Sequence, residues 1–296
     1  MKLGYGFALT AFFAAFFLAA SVFDNTDAMS WPDEAAVLVR NFGSNESGVP
    51  VLGMIFSGGN EISAAENGEV IFSRGVNDKA SKLPSPFGVW TAVDHEDGLI
   101  SIYSRYDKSS DISMSLTSVE KSQPVAYPGI SGWSANNGFY FIIFDRKERH
   151  WINPAVIVTP VQRNRPPQIL SVNFKNDQGL VIQSRNLIQG RYTILVNAVS
   201  PSLSPFAREN TLAPHKIICS VNGAEVGSLD FEAFSSRDGV LMIYRNGLVP
   251  AKQVYSAFPA FEAVDVFLTR GQANLEIIVQ DIEGNSNTMI TRLIVN

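Results

Sequence analysis

Gly88-Val-Trp-Thr-Ala-Val-Asp-His-Glu-Asp-Gly-Leu-Ile-Ser-Ile-Tyr-Ser-Arg-Tyr106 is the stretch from which the fold is read. Trp90 to His95 and Leu99 to Tyr106 are β-branched and aromatic runs, separated by Glu96-Asp97-Gly98. Asp-Gly supplies the positive φ angles of a tight turn, so the spacing predicts a β-hairpin. Downstream, Phe139 to Phe144 is too continuously apolar for a solvent-facing strand and is expected at the centre of a sheet. Upstream, Arg74 to Phe87 carries Pro84 and Pro86 and reads as a loop. Trp31-Pro32-Asp33-Glu34 is expected to open a short helix through Val39, because Pro and acids are favoured in a first turn.

The pattern changes after Pro160-Val-Gln-Arg-Asn-Arg-Pro-Pro-Gln168, a polar run with adjacent prolines that reads as a short, stiff connector. Ile169 to Phe174, Leu180 to Gln183, Tyr192 to Val199, Lys216 to Val221, Val240 to Tyr244, Val264 to Thr269, Leu275 to Asp281 and Thr288 to Val295 read as short strands. With no helical period between them they predict a β-sandwich. The fold class is therefore all-β. The expected organisation is a leader over 1–28, a first domain over 29–162, a linker over 163–167 and a second domain over 168–296.

The leader has Lys2 ahead of the apolar run Ala8 to Val22, with small residues at Ala19, Ala20, Ser21 and Ala28. That layout is a secretory signal peptide, and export to the periplasm or cell envelope follows. Counted from Leu3 to Phe23 the run is long enough to span a bilayer, so an uncleaved anchor is the alternative, and membrane contact is expected only in that case. A net charge of −5 leaves no basic footprint for nucleic acid. The lone cysteine, Cys219, lies in an apolar run and reads as a core thiol.

The hairpin and its surroundings resemble the lysostaphin/LytM-like zinc peptidases, which cut the peptide part of peptidoglycan on a fold called the duplicated hybrid motif. Gly59-Asn60-Glu61-Ile62-Ser63-Ala64-Ala65-Glu66-Asn67-Gly68-Glu69-Val70 is similar to the family's Gly-x-x-Val-x-Ala-x-x-x-Gly-x-Val. Asp145-Arg146 to Trp151-Ile152-Asn153-Pro154 resembles its closing strand, and Ile130-Ser131-Gly132-Trp133 a degraded form of its Gly-rich piece. The resemblance implies an antiparallel LytM-like domain whose metal positions have changed. The family's first ligand pair falls on Val51 and Ile55. Its closing His-x-His falls within Phe139 to Ile142 in one of two registers, leaving Tyr140, Phe141 and Ile142 as altered positions. Its hairpin histidine falls on Arg105.

A catalytic zinc takes about three N, O or S ligands and a water, so zinc, the family's cofactor, is not expected to be held at these positions. Two unit charges ~4 Å apart at an effective dielectric of ~20 repel by about 4 kcal/mol, and Arg cannot shed its proton to relieve this. No cofactor, metal ligand or catalytic residue is therefore assigned. Trp90, Tyr103, Arg105, Trp133 and Tyr140 are candidate ligand-binding residues in a surviving groove, weighed against a simple role as core filling for the aromatics and ion pairing for Arg105.

Gly271 to Asn285 resembles the final hairpin of bacterial immunoglobulin-like domains, and Gly190 to Ala198 an earlier strand of that fold. Asp281 and Glu283 beside its turn are a candidate calcium pair, weighed against ordinary solvated carboxylates. The insertion Pro201 to Pro214 and the segment Leu248 to Phe261 are the loops expected to meet a partner. Taken together, the resemblances imply an exported, non-catalytic envelope protein that binds peptidoglycan or regulates a cell-wall hydrolase. An active zinc endopeptidase with unusual ligands and an envelope scaffold or adhesion protein are the alternatives.

Overall fold

The computed structural model describes residues 29–46, 48–75, 83–109, 115–158, 165–201 and 212–296. The leader, most of the connector and most of the Pro201 to Pro214 insertion lie outside the described residues. Among those described the chain is almost wholly β. The first half contributes β1 (Val37–Arg40), β2 (Asn45–Glu46), β3 (Val49–Pro50), β4 (Met54–Ser57), β5 (Ile62–Ser63), β6 (Gly68–Arg74), β7 (Trp90–Asp94) and β8 (Leu99–Ser104). It continues with β9 (Ser118–Val119), β10 (Pro124–Ala126), β11 (Gly138–Asp145), β12 (His150–Ile152) and a one-turn helix, α1 (Pro154–Ile157).

The predicted hairpin is β7 and β8. His95 N–H donates to the Leu99 carbonyl at 2.9 Å, and Gly98 takes φ +91° at the turn. β11 is the central strand, with β8 along one edge and β4 followed by β12 along the other. Strand alternation splits its side chains. Phe139, Phe141 and Ile143 enter the main core with Met54, Phe56, Val93 and Tyr103. Tyr140 and Ile142 face the opposite side.

The helix expected from Trp31 does not form. Asp33 Oδ1 accepts the Ala35 N–H at 2.8 Å, and its Oδ2 accepts the Asn60 N–H at 2.6 Å. Val37–Arg40 then runs as β1 against β4. Tertiary pairing overrides a first-turn signal that had no apolar helical face behind it.

The second half contains β13 (Gln168–Asn176), β14 (Val181–Ile182), β15 (Asn186–Leu187), β16 (Gly190–Val199), β17 (Lys216–Val221), β18 (Ala224–Arg237), β19 (Val240–Arg245) and β20 (Leu248–Pro250). The short helix α2 (Ala251–Val254), β21 (Phe261–Leu268), β22 (Gly271–Gln280) and β23 (Ser286–Val295) complete it. One sheet has the order β14-β13-β16-β21, and the facing sheet runs β15-β23-β22-β17-β18. Ile194, Val196 and Val264 from the first meet Ile217, Cys219, Leu275 and Ile277 from the second in one core. Cys219 is fully buried, and burial pushes its thiol up to about 12, so it is an inert core residue.

The two halves share main chain and core. β18 pairs with β17, and its residues Ala233 to Ser235 also pair with β12, joining both halves into one sheet. Asn153 seals that junction, with its N–H on the Glu232 carbonyl at 2.8 Å and Nδ2 on the Phe231 carbonyl at 3.0 Å. From the other side, Asn41 to Ser44 reaches into the sandwich. Phe42 is fully buried in its core, 5.1 Å from the Phe234 ring, and Asn41 exchanges two 2.8 Å hydrogen bonds with the Ala213 backbone. Gly43 has φ +80°, and a Cβ there would stand 2.4 Å from the Phe231 ring, so only glycine lets the chain pass.

His215 lies close to this seam: its carbonyl accepts the Phe231 N–H and its N–H donates to Gln280. Burial holds the imidazole below its ordinary 6.5, with Glu232 and Asp230 pulling back up, Lys216 adding to the lowering and Asp281 opposing it. The unfolded chain therefore binds this proton first. Stability from this group is full above about pH 6.5 and is lost as pH falls through that value toward the folded pKa. His215→Gln is expected to flatten the fall in thermal midpoint between about pH 7.5 and pH 5. An unchanged slope would remove the assignment.

Candidate functional site

Four pieces of chain bring together the positions singled out by the resemblance. Val51 precedes β4, Ile55 lies on β4, Tyr140 and Ile142 lie on β11, and Arg105 follows β8. Val51, Tyr140 and Ile142 form a small buried cluster, with Ile55, Phe87, Ile102 and Trp151 packed against it. Pairing of Tyr140 with both Ile55 and Ser104 sets this register. Of the two registers open from sequence, the structure brings the 140/142 pair to Val51. Phe141 is a correction: it points into the main core, 5.5 Å from the Tyr103 ring, because neighbouring strand residues face opposite ways.

Arg105 closes the cluster. Its backbone takes φ +64°, and its N–H is shared between the Phe87 and Val89 carbonyls at 2.9 and 3.0 Å. The guanidinium lies 4.7 Å from the centre of the Tyr140 ring, a cation–π contact. It grips both oxygens of Glu46, at 2.9 and 2.8 Å. Arg105 is only 3% exposed, so this bidentate pair satisfies a charge that water does not reach. The weighing at Arg105 resolves into internal pairing.

Tyr140 is similarly committed. Its hydroxyl oxygen accepts the Leu52 N–H at 2.9 Å, and burial drives its pKa far above the ordinary phenol value. Three aliphatic side chains, a protonated phenol and a permanent cation do not fit a divalent metal ion. Among the described residues no three His, Cys, Asp or Glu side chains gather closely enough to hold a metal. His95 is a satisfied core residue, with Nδ1 2.7 Å from the Asn67 carbonyl and Nε2 2.9 Å from Ser101 Oγ.

The candidate groove residues separate. Trp90 stacks on Phe72 with centroids 4.4 Å apart and meets Phe87 edge-on at 6.1 Å; Phe87 in turn meets Tyr140 at 6.1 Å. This aromatic file leads from the surface to Arg105. Trp133 is 62% exposed, and its N–H donates to the Pro86 carbonyl beside Phe87. Tyr103 is a correction: it is fully buried in the main core, where its hydroxyl oxygen accepts the Ala65 N–H at 2.8 Å, and burial raises its pKa to about 12. The calcium candidates fall to the turn itself. Asp281 Oδ1 accepts the Glu283 and Asn285 N–H groups, and Asn285 Nδ2 donates to Asp281 Oδ2.

Leu248 to Phe261 is also corrected as a partner loop over its buried part. Ala251, Val254 and Tyr255 pack into the sandwich core, and the Tyr255 hydroxyl donates to the Gly43 carbonyl. An open, mainly acidic cavity of about 770 Å³ lies at the β7–β8 turn, lined by Glu66, Glu69, Asp94, Glu96, Asp97 and Arg146 among others. None of the candidate groove residues lines it.

Sequence reading missed Glu46 and Phe72. Glu46 sits on a two-residue strand far from the hairpin, and its one signal is chemical: a buried arginine demands a carboxylate.

A family model matches residues 166–296, less than half of the chain. No curated protein matches the chain. Solved structures similar to it include the SpoIIQ–SpoIIIAH pore forming complex, at 17% identity over 44% of this chain and 90% of the matched one, with a TM-score of 0.34. Another is the catalytic domain of the prophage-encoded protein EnpA from Enterococcus faecalis, at 18% identity over 41% and 90%, with a TM-score of 0.33. The antimicrobial peptidase lysostaphin from Staphylococcus simulans is similar at 13% identity over 81% and 98%, also with a TM-score of 0.33.

Proposed function

We propose that this chain is an exported, non-hydrolytic LytM-like envelope protein that binds peptidoglycan or regulates a hydrolase that cuts it. The observation that carries the reading is the Arg105–Glu46 pair over Tyr140. It fills the point where Val51, Ile55, Tyr140 and Ile142 converge, the positions that the family resemblance gives to metal ligands and catalytic histidines. Space once needed for an ion and its water is taken by apolar side chains and a neutralised cation.

The second half, a two-sheet sandwich, is read as an immunoglobulin-like module that supports and positions the first. The file Phe72, Trp90 and Phe87, with exposed Trp133 near its end, is the surface on which a wall saccharide or peptide would lie, since aromatic faces stack on such groups without needing charge.

Two measurements test this. Protein purified from zinc-supplemented cells is expected to hold zinc far below one equivalent and to release no fragments from purified peptidoglycan. It is expected to co-sediment with that peptidoglycan, and Trp90→Ala with Trp133→Ala to weaken the binding. Stoichiometric zinc with wall lysis would establish the endopeptidase instead. Zinc-free protein that stays in the supernatant would favour the scaffold or adhesion reading.

A further inference from the structure

The long edge of β23 is open. The Ile294 N–H donates to the Arg185 carbonyl and the Asn296 N–H to Leu187, both on the side away from β22. Main-chain groups alternate along a strand, so Thr288, Ile290 and Arg292 also aim their N–H and C=O groups outward. Among the described residues no strand meets them there, since β15 covers only Ile294 and Val295.

Other edges carry a guard. Arg245 lies against β21, with its Nη1 3.4 Å from the Glu262 carbonyl and its Nη2 on Asp265. The pairing of β13 with β16 is broken by a register shift between Ile169 and Ser171, and that of β6 with β7 by one between Val70 and Phe72. Bulges and inserted charges of this kind prevent strand addition. β23 has neither: it keeps ten consecutive pairs with β22 and no shift, and Ile290 in its middle is 69% exposed.

We propose that the free edge of β23 is a self-association surface, on which a second copy of this chain adds its own β23 antiparallel about a two-fold axis at Ile290. The residue pattern is self-complementary in this register. Ile290 meets its own counterpart, and Thr288 meets Arg292 of the other copy. The strand's single charged residue, Arg292, thus never faces a like charge. Thr288, Ile290 and Arg292 of both copies exchange main-chain hydrogen bonds, and the addition stops where β15 begins. A closed pair uses the same patch twice and leaves no edge for a third copy. This surface is independent of whether the first half binds the cell wall.

The test is the molecular mass of the full chain across a concentration series, by sedimentation equilibrium. The expected result is a monomer–dimer equilibrium. Ile290→Lys, which sets two cations opposite each other, is expected to raise the dissociation constant about tenfold or more. Ile290→Pro removes only an outward N–H and is expected to do the same without losing a bond to β22. Ile290→Cys is expected to give an intermolecular disulfide on oxidation, with the buried Cys219 unable to compete. A monomer at every concentration overturns the proposal. So does a dimer that survives both the Lys and Pro variants while their thermal midpoints stay unchanged.

Discussion

Phe42→Ala is expected to cost about 3–5 kcal/mol and to lower the unfolding midpoint of both halves together. Phe42 belongs to the first half by position yet is fully buried among Phe234, Ile217 and Tyr255 of the second. Removing its ring leaves a cavity that the neighbours have little freedom to fill. Gly43 passes directly against Phe231, and Asn41 is pinned to Ala213 on the other side.

The experiment has a built-in division of signals. All four tryptophans, Trp31, Trp90, Trp133 and Trp151, lie in the first half; with Trp151, which packs against the sandwich core opposite Phe234, replaced by Phe in every protein compared, the remaining three report on that half. Amide exchange in β16 and β22 reports on the sandwich. Coincident transitions, displaced equally by Phe42→Ala, are the expected result. A sandwich that unfolds early while the tryptophan signal stays put would mean the halves are thermodynamically separate. Phe42→Leu, which keeps most of the volume, is expected to lose about 1 kcal/mol.

The hairpin over Trp90 to Ser104 and the central strand at Phe139 to Phe144 were legible because local pattern and turn chemistry agree there. Lys216 to Val221 was legible for the same reason, and it is β17 to the residue. β18 was not. Ala224–Arg237 mixes Gly227, Ser228, Asp230 and Glu232 into a strand that pairs on both sides, so it has neither clean alternation nor a continuous apolar run. That strand pairs with β12 as well as β17, a link between the halves that the sequence reading did not contain.

The cluster around Tyr140 and Arg105 was half legible. Val51, Ile55 and Arg105 were singled out only through the family resemblance, which implies those positions relative to the hairpin and to the Gly59 to Val70 stretch. The face chosen by Tyr140 over Phe141 depends on pairing with β4 and β8, which an all-apolar run does not reveal. Glu46 was out of reach because the bond to Arg105 spans 59 positions and rests on burial alone.

Glu46→Ala is expected to destabilise the protein by about 3–5 kcal/mol, because it strands a guanidinium that is nearly sealed from water. Arg105→Met is expected to cost less. The Glu46 side chain keeps a quarter of its surface in solvent and regains hydration once its partner is gone, whereas the Arg105 side chain is almost fully buried over the Tyr140 ring. The double variant is expected to recover most of what Glu46→Ala loses, since an apolar side chain suits the Val51 and Ile142 surroundings. Urea unfolding of the four proteins gives the coupling energy directly. If Glu46→Ala were as mild as a surface substitution, the pair would be dispensable, and the burial of Arg105 beside Tyr140 would not hold this part of the fold together.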